Sequence, residues 1–347
     1  MNVKDLPVLV TGGTGLVGSH LICRLASEGW HIRAVHRKTS KLDFLRKVAS
    51  YYTDDPDKIV KSVEWTLCDI LDYEGLTEAL KGCGHVYHCA AAVSFESGHS
   101  DLLLDNNIRG TGNLVKACLA SGITKLCHVS STAALGAQNT ASPVNEDHQW
   151  NDGEYHAVYA ISKHRSEQEV WQGIGQGLNA VIVNPSVIFG PGDWGKGSSS
   201  FFRNIDSGML FYTGGITGYV DVNDVVAVMI KLMSLPVSGE RYIVSSENLS
   251  FREIFSMIAR SLGVREPFLN VPAPVSIPVF YLARLFSLVT GKKSPLTKET
   301  VKAAYSKVLF DNSKVIKTTG ITFRPMEQSV AETARLYLMD KSEGNLV

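Results

Sequence analysis

The chain has 347 residues, and 34 Lys and Arg balance 34 Asp and Glu, so its formal charge is zero. That neutrality argues against nucleic acid as the main partner, because polyanion binding rests on phosphate neutralisation. An apolar share of 44% and a charged share of 20% exclude a disordered or fibrous chain, and the length predicts two domains or one large domain with an appendage.

Pro7–Thr11 is apolar and β-branched and reads as a first strand. Leu16–Ser27 follows with Leu16, Val17, Leu21, Ile22 and Leu25 at helical spacing. The alternation continues through strand His31–Val35, helix Lys41–Ser50, strand Val63–Leu67, helix Tyr73–Leu80, strand His85–His88, helix Leu102–Ala120 and strand Lys125–Val129. Such a rhythm predicts right-handed βαβ units and a parallel sheet covered on both faces.

Beyond residue 130 the rhythm loosens. Ala137–Trp150 reads as a polar loop, His156–Trp171 as a helix and Ala180–Val183 as a strand. Phe189–Gly218, rich in Gly and Ser, reads as a mobile covering segment. Helices are expected at Val222–Leu232, Phe251–Leu262, Ile277–Leu288, Leu296–Tyr305 and Gln328–Met339. Val271–Thr290 is the most membrane-like stretch, but Pro272, Pro274, Pro278 and Arg284 interrupt it, so a buried or surface-docked helix is expected and no transmembrane segment. A nucleotide-binding half closed by a smaller, more irregular half is the resulting picture.

The six cysteines, Cys23, Cys68, Cys83, Cys89, Cys118 and Cys127, include no C-x-x-C pair, and most sit in or beside apolar runs. They predict free thiols in a reducing, cytoplasmic compartment, without disulfides or a metal site. The opening residues Met1 to Pro7 carry Asp5 and run into a glycine turn, which is not the pattern of a signal peptide.

Two clusters carry chemistry. In Thr11-Gly12-Gly13-Thr14-Gly15-Leu16-Val17-Gly18, glycines fall at 12, 15 and 18 between a strand and an amphipathic helix. Gly12 would permit the tight turn, Gly15 the approach of a pyrophosphate to backbone N–H groups at the helix end, and Gly18 close helix–strand packing. Gly12, Thr14, Gly15, Leu16, Val17 and Gly18 are therefore candidate dinucleotide contacts; a plain turn is the alternative. After the second strand come His36-Arg37-Lys38 rather than a carboxylate. Arg37 and Lys38 favour the 2′-phosphate of NADP(H), with NAD(H) as the second cofactor and a solvated basic loop as the bland alternative. Asp69 and Ile70 could meet the adenine edge, Asp69 otherwise serving as a helix cap.

The second cluster is Tyr159-Ala160-Ile161-Ser162-Lys163, a phenol and an ammonium four apart on one helix face. A nearby cation is expected to pull the phenol below its usual value of about 10 and suit it to proton transfer. Ser130-Ser131-Thr132 closes a parallel strand, where such sheets bind ligands and a hydroxyl can steady developing charge. Ser130 is expected to be a cap or turn serine.

Together these residues resemble the extended short-chain dehydrogenase/reductase family, closest to its dihydroflavonol reductase and 3β-hydroxysteroid dehydrogenase branch. The strings TGGTGLVG (11–18), CDI (68–70), HCAAAV (88–93), NNIRGT (106–111), HVSSTAALG (128–136), YAISK (159–163) and NPSVIFGP (184–191) occur in family order across nearly the whole chain. The resemblance implies a Rossmann-type doubly wound parallel sheet over residues 1–180. It implies a smaller C-terminal α/β substrate lobe over most of 181–347, with some segments returning to the sheet. It also implies Ser131, Tyr159 and Lys163 as the catalytic set. Ala90, Ala91, Asn106 and Pro185 would lie along the cofactor, and Arg37 would read its phosphate. A homodimer through the helices Leu102–Ala120 and His156–Trp171 is a further implication.

The departures concern substrate. Nucleotide-sugar enzymes of the family usually hold a diphosphate with a basic residue near Tyr219–Val222, and Gly215–Asp221 has none. Dehydratases tend to show an Asp-Glu pair where this chain has Ala133-Ala134. A less charged carbonyl or alcohol substrate is expected, walled by Val93, Phe95, Leu135, Phe201, Phe202 and Tyr212. The alternatives are a nucleotide-sugar epimerase or dehydratase with tightly held NAD, and a non-enzymatic NADP-sensing binding protein.

Overall fold

The computed structural model describes residues 6–92, 100–140, 142–275 and 297–346. The first half alternates β1 (Val8–Thr11), α1 (Leu16–Ser27), β2 (Ile32–His36), α2 (Asp43–Ser50), α3 (Pro56–Lys61), β3 (Val63–Leu67), α4 (Tyr73–Ala79), β4 (His85–His88), α5 (Ser100–Ser121), β5 (Lys125–Val129), α6 (Val158–Gly175) and β6 (Ala180–Pro185). Then follow β7 (Val187–Phe189), α7 (Ser200–Asp206), β8 (Phe211–Tyr212), β9 (Ile216–Asp221), α8 (Val222–Ser234), β10 (Glu240–Val244), β11 (Glu247–Ser250), α9 (Phe251–Leu262), β12 (Leu269–Asn270), α10 (Lys298–Tyr305), α11 (Ser313–Thr319) and α12 (Met326–Ser342).

Seven strands form one parallel sheet in the order β10-β6-β5-β4-β1-β2-β3. This is a Rossmann-type α/β fold. The chain order reverses between β1 and β4, and the crevice beyond the carboxyl ends of those strands is where open sheets bind ligands. The central strands β1, β4, β5 and β6 are buried on both faces, as their near-continuous apolar runs require. Leu21, Ile22, Leu25, Val225 and Met229 pack on one face beneath Val8, Val10 and Val181. Leu114, Ala117, Cys118 and Val170 pack on the other, against Leu9, Val86 and Ile182.

Most helices and strands lie close to their sequence expectations, and Leu16–Ser27 and Phe251–Leu262 match residue for residue. The latter is framed by a Ser250–Glu253 capping box and by Gly263 in the left-handed region, two local signals that define both ends. Phe189–Gly218 departs from its expectation of a mobile cover: it contains α7 and β8, and Phe189, Trp194 and Phe202 are wholly buried. These rings join α9 and α12 in a separate aromatic core, so their apolar burial outweighs the Gly and Ser between them. The helix expected at Ile277–Leu288, and most of the stretch Val271–Thr290, lie outside the described residues. So do Val93 and Phe95 among the expected substrate walls. Among the described residues, no helix is long and apolar enough to cross a membrane. All six cysteines are free thiols.

Candidate active site

The glycine turn between β1 and α1 is shaped for close approach. Gly12 has φ +71°, and a Cβ there would lie 2.6 Å from the Ala90 nitrogen. A Cβ on Gly18 would run into the Gly12 carbonyl. Gly15 caps α1 without a side-chain hydrogen bond, so the N–H groups of Leu16, Val17 and Gly18 start the helix without intrahelical acceptors. That end carries the positive pole of the helix, the place for a phosphate.

Beside it lies a cavity of about 250 Å³ lined by Gly12, Thr14, Gly15, Val35, His36, Arg37, Ser40, Cys68, Ile70, Cys89, Ala90, Ala91, Ala92 and Asn106. Gly12, Thr14, Gly15, Arg37, Ile70, Ala90, Ala91 and Asn106, expected along a dinucleotide from five separate stretches, thus share one cavity. Its lining contains no carboxylate. Arg37 is exposed, and its guanidinium has no hydrogen-bond or ion-pair partner among the described residues. A backbone cradle, a helix N-terminus and a free guanidinium form a donor set suited to a phosphorylated dinucleotide. Leu16, Val17, Gly18, Lys38, Asp69 and Pro185 are not on the lining, nor are Ser131, Tyr159 and Lys163. Lys38 is exposed, and Pro185 is buried in β6. Asp69 accepts from the Leu71 N–H at 3.0 Å in a turn, while Asp72 caps α4.

The second cluster singled out in the sequence is built from β5 and α6. Ser131, just past β5, caps a short 3-10 turn by accepting from the Ala133 N–H at 3.1 Å. Its side chain also shares a hydrogen bond with the phenol of Tyr159. Lys163 is buried and donates to the Val129 carbonyl at 3.0 Å. Burial pulls its ammonium down to about 8, with Cys89 and Glu167 opposing. Tyr159 differs from its expectation: burial pushes the phenol above its usual range, and the opposing pull comes from Ser131, not from Lys163. The ammonium is turned to a main-chain carbonyl, and desolvation dominates.

Ser130 was expected to be a cap or turn residue, yet it is buried and donates to Glu167 Oε2 at 2.8 Å. Asn107, beside the expected Asn106, is the asparagine that ties elements together. Its amide oxygen accepts from the Ala92 N–H at 2.7 Å, and its nitrogen donates to the Ala92 carbonyl at 2.9 Å and to Ser162 Oγ at 3.1 Å. Ser162 donates on to the Tyr159 carbonyl at 2.8 Å. The readable signal for Asn107 was its spacing of four from Thr111 on the inward face of α5.

A directed chain enters Asn107 from the glycine turn. Thr111 donates to the Asn107 carbonyl at 2.7 Å and so accepts from His88 Nε2 at 3.0 Å. His88 Nδ1 then accepts from Thr11 Oγ1 at 2.7 Å, and that hydroxyl accepts from the Ala90 N–H at 3.2 Å. His88 is thereby held as one neutral tautomer, and burial pulls its pKa down to about 3. Of the expected substrate walls, Leu135 and Phe202 are core residues, while Phe201 and Tyr212 are half-buried.

Comparison with known proteins finds similarity along most of the chain. The family described as NAD dependent epimerase/dehydratase matches residues 8–245. Sterol demethylase protein B of Methylococcus capsulatus is 31% identical over 77% of this chain and 78% of its own length. The bifunctional dihydroflavonol 4-reductase/flavanone 4-reductase of Pyrus communis is 27% identical over 78% of this chain and 80% of its own. The crystal structure of gox2253 superposes with a TM-score of 0.80 at 27% identity, covering 98% of this chain and 99% of that one.

Proposed function

We propose a reaction for a chain that belongs to the NAD dependent epimerase/dehydratase family: NADP(H)-dependent hydride transfer to or from a ketone, aldehyde or secondary alcohol. The broad class, an NAD(P)-dependent oxidoreductase of the extended short-chain dehydrogenase/reductase kind, follows from that membership and from the reductase relatives. The observation that carries the finer reading is the Ser131–Tyr159 hydrogen bond beside the buried Lys163, set where β5 ends.

When bound, the nicotinamide supplies or accepts the hydride. Tyr159, a phenol protonated at neutral pH and pushed further up by desolvation, gives its proton to the substrate oxygen in reduction and takes it back in oxidation. Ser131 bonds the same oxygen and steadies its charge. Lys163, pulled down to about 8 by burial and held on the Val129 carbonyl, would offer its remaining donors to the ribose. The turn Gly12 to Gly18 would hold the pyrophosphate, and Arg37 would take the 2′-phosphate, in a lining that has no carboxylate among the described residues.

The substrate is uncharged at the place where a sugar nucleotide would need a cation. β9 contains no Lys or Arg, and Gly215 packs against Ala304 and Phe251, which leaves no space for a side chain there. Relatives named for sterol and flavonoid substrates support an apolar carbonyl compound. The region beyond residue 180 serves mainly as the substrate lobe, and the protein works as a homodimer in the cytoplasm.

A thermal-shift comparison of NADP(H), NAD(H) and UDP-sugars, followed by turnover on a carbonyl panel, tests the reading, because ligands of the folded state raise its stability. NADP(H) should stabilise most, and at least one carbonyl should be reduced. NAD that copurifies and resists dialysis, with stabilisation by UDP-sugars, would replace it with an epimerase or dehydratase. Tight NADP(H) binding without any turnover would leave a binding protein.

A further inference from the structure

Behind Ser131 and Lys163 lies a buried charge that the reaction above does not use. Glu167 follows Tyr159 and Lys163 at intervals of four along α6, so the three share one face. Its side chain is 3% exposed. Oε2 accepts from Ser130 Oγ and from Asn184 Nδ2, both at 2.8 Å. Oε1 accepts from Trp171 Nε1 at 3.2 Å and from Arg241 at 3.1 Å. Four donors around one carboxylate satisfy a charge that would otherwise be costly to bury.

The donors lead to the reacting groups. Asn184 gives its second amide hydrogen to the Ser131 carbonyl at 3.0 Å, so the carboxylate and the serine main chain share one clamp. Ser130 fixes the preceding residue. Arg241, on β10, uses its remaining donors on the Glu146 and His148 carbonyls, at 2.9 and 3.1 Å, in the loop that leads toward α6.

The charge also faces Lys163. Around that ammonium stand His88 on β4, Cys89 just past it, His128 on β5, and Glu167 on its own helix. Burial keeps both histidines neutral and pushes the Cys89 thiol up to about 12. Tyr159 is a neutral phenol. Glu167 is thus the anion of this surrounding, and it works against the desolvation that drags the lysine down.

We propose that Glu167 is a positioning residue for proton transfer: its carboxylate clamps the main chain of Ser131 through Ser130 and Asn184 and stands as counter-charge one helical turn beyond Lys163. The proposal rests on the reductase reading for its kinetic arm and on charge placement alone for its second arm. Glu167→Gln is to be compared with Glu167→Gln/Arg241→Met, in which the guanidinium is not left unpaired. In both full-length variants kcat should fall about 10- to 100-fold, with KM for the carbonyl and the NADPH dissociation constant within about twofold. The pH at which the rate turns should drop by about one unit. The double variant should regain thermal stability without regaining kcat.

A titration of Lys163 Nζ by heteronuclear NMR, assigned with Lys163→Arg, forms the second arm. Its midpoint should fall in step with the rate profile. A midpoint that stays put, or a double variant with wild-type kcat and pH profile, overturns the proposal and leaves Glu167 a purely structural group. If the wild-type protein reduces no carbonyl, the reductase reading fails, while the titration still decides the placement of charge.

Discussion

At the proposed phosphate end, backbone does the shaping: glycines remove side chains, and N–H groups of the first turn of α1 lack intrahelical acceptors. At the proposed proton-transfer end, side chains do it, through Ser130, Asn184, Glu167 and Arg241 behind Ser131 and Lys163. The contrast separates two design problems. An anion asks for donors and space, which a short stretch of chain can provide. A phenol and an ammonium held in low dielectric need their charges and hydrogen bonds satisfied from several directions, which calls for distant parts of the chain.

Four experiments would break or sharpen that comparison. Tyr159→Phe should reduce kcat by about 10²- to 10⁴-fold, the range of general acid–base catalysis, while NADPH binding by fluorescence titration stays within about threefold. Full turnover in that variant would remove the proton-transfer end altogether. Gly18→Ala should weaken NADPH and NADH alike, by about 100-fold, because the new methyl group displaces the Gly12 carbonyl that shapes the turn. Arg37→Glu should act on one cofactor only, raising the NADPH dissociation constant by about 10- to 50-fold through loss of a charged hydrogen bond. Equal weakening of NADH would show that Arg37 does not read the phosphate.

The smallest effect concerns acid. His88 and His20 are pulled down to about 3 and about 4 by burial, below the value of about 6.5 expected in the unfolded chain. The unfolded state therefore binds more protons below pH 6.5, and stability present above that value is lost as the pH falls toward 3. Urea unfolding at pH 7 and pH 5 should show the wild type losing about 2 kcal/mol more than His88→Gln over that interval. An unchanged difference would mean that the Thr11–His88–Thr111 chain is not held in the neutral form.

The two ends also differ in how readable they were. The glycine turn, α1 and the Tyr159/Lys163 pair are local patterns, and each was visible as spacing between neighbours. The Glu167 clamp joins residues 130, 167, 184 and 241, and no window of sequence contains them. β10, which delivers Arg241, is a five-residue strand that the periodicity did not reveal. Ser130 looked like a turn serine because its acceptor lies 37 positions away. Asn106 and Asn107 are adjacent in sequence, and the inward face of α5 decides which of them ties Ala92 to Ser162.

The sequence by itself determined the alternation of strands and helices, the family and the residue types at each motif, because helix period, strand period and glycine placement are short-range properties. The tertiary structure alone decided the direction in which Tyr159, Lys163 and His88 are shifted from their usual values. Those shifts depend on burial and on charges brought together from distant strands, which no local pattern encodes.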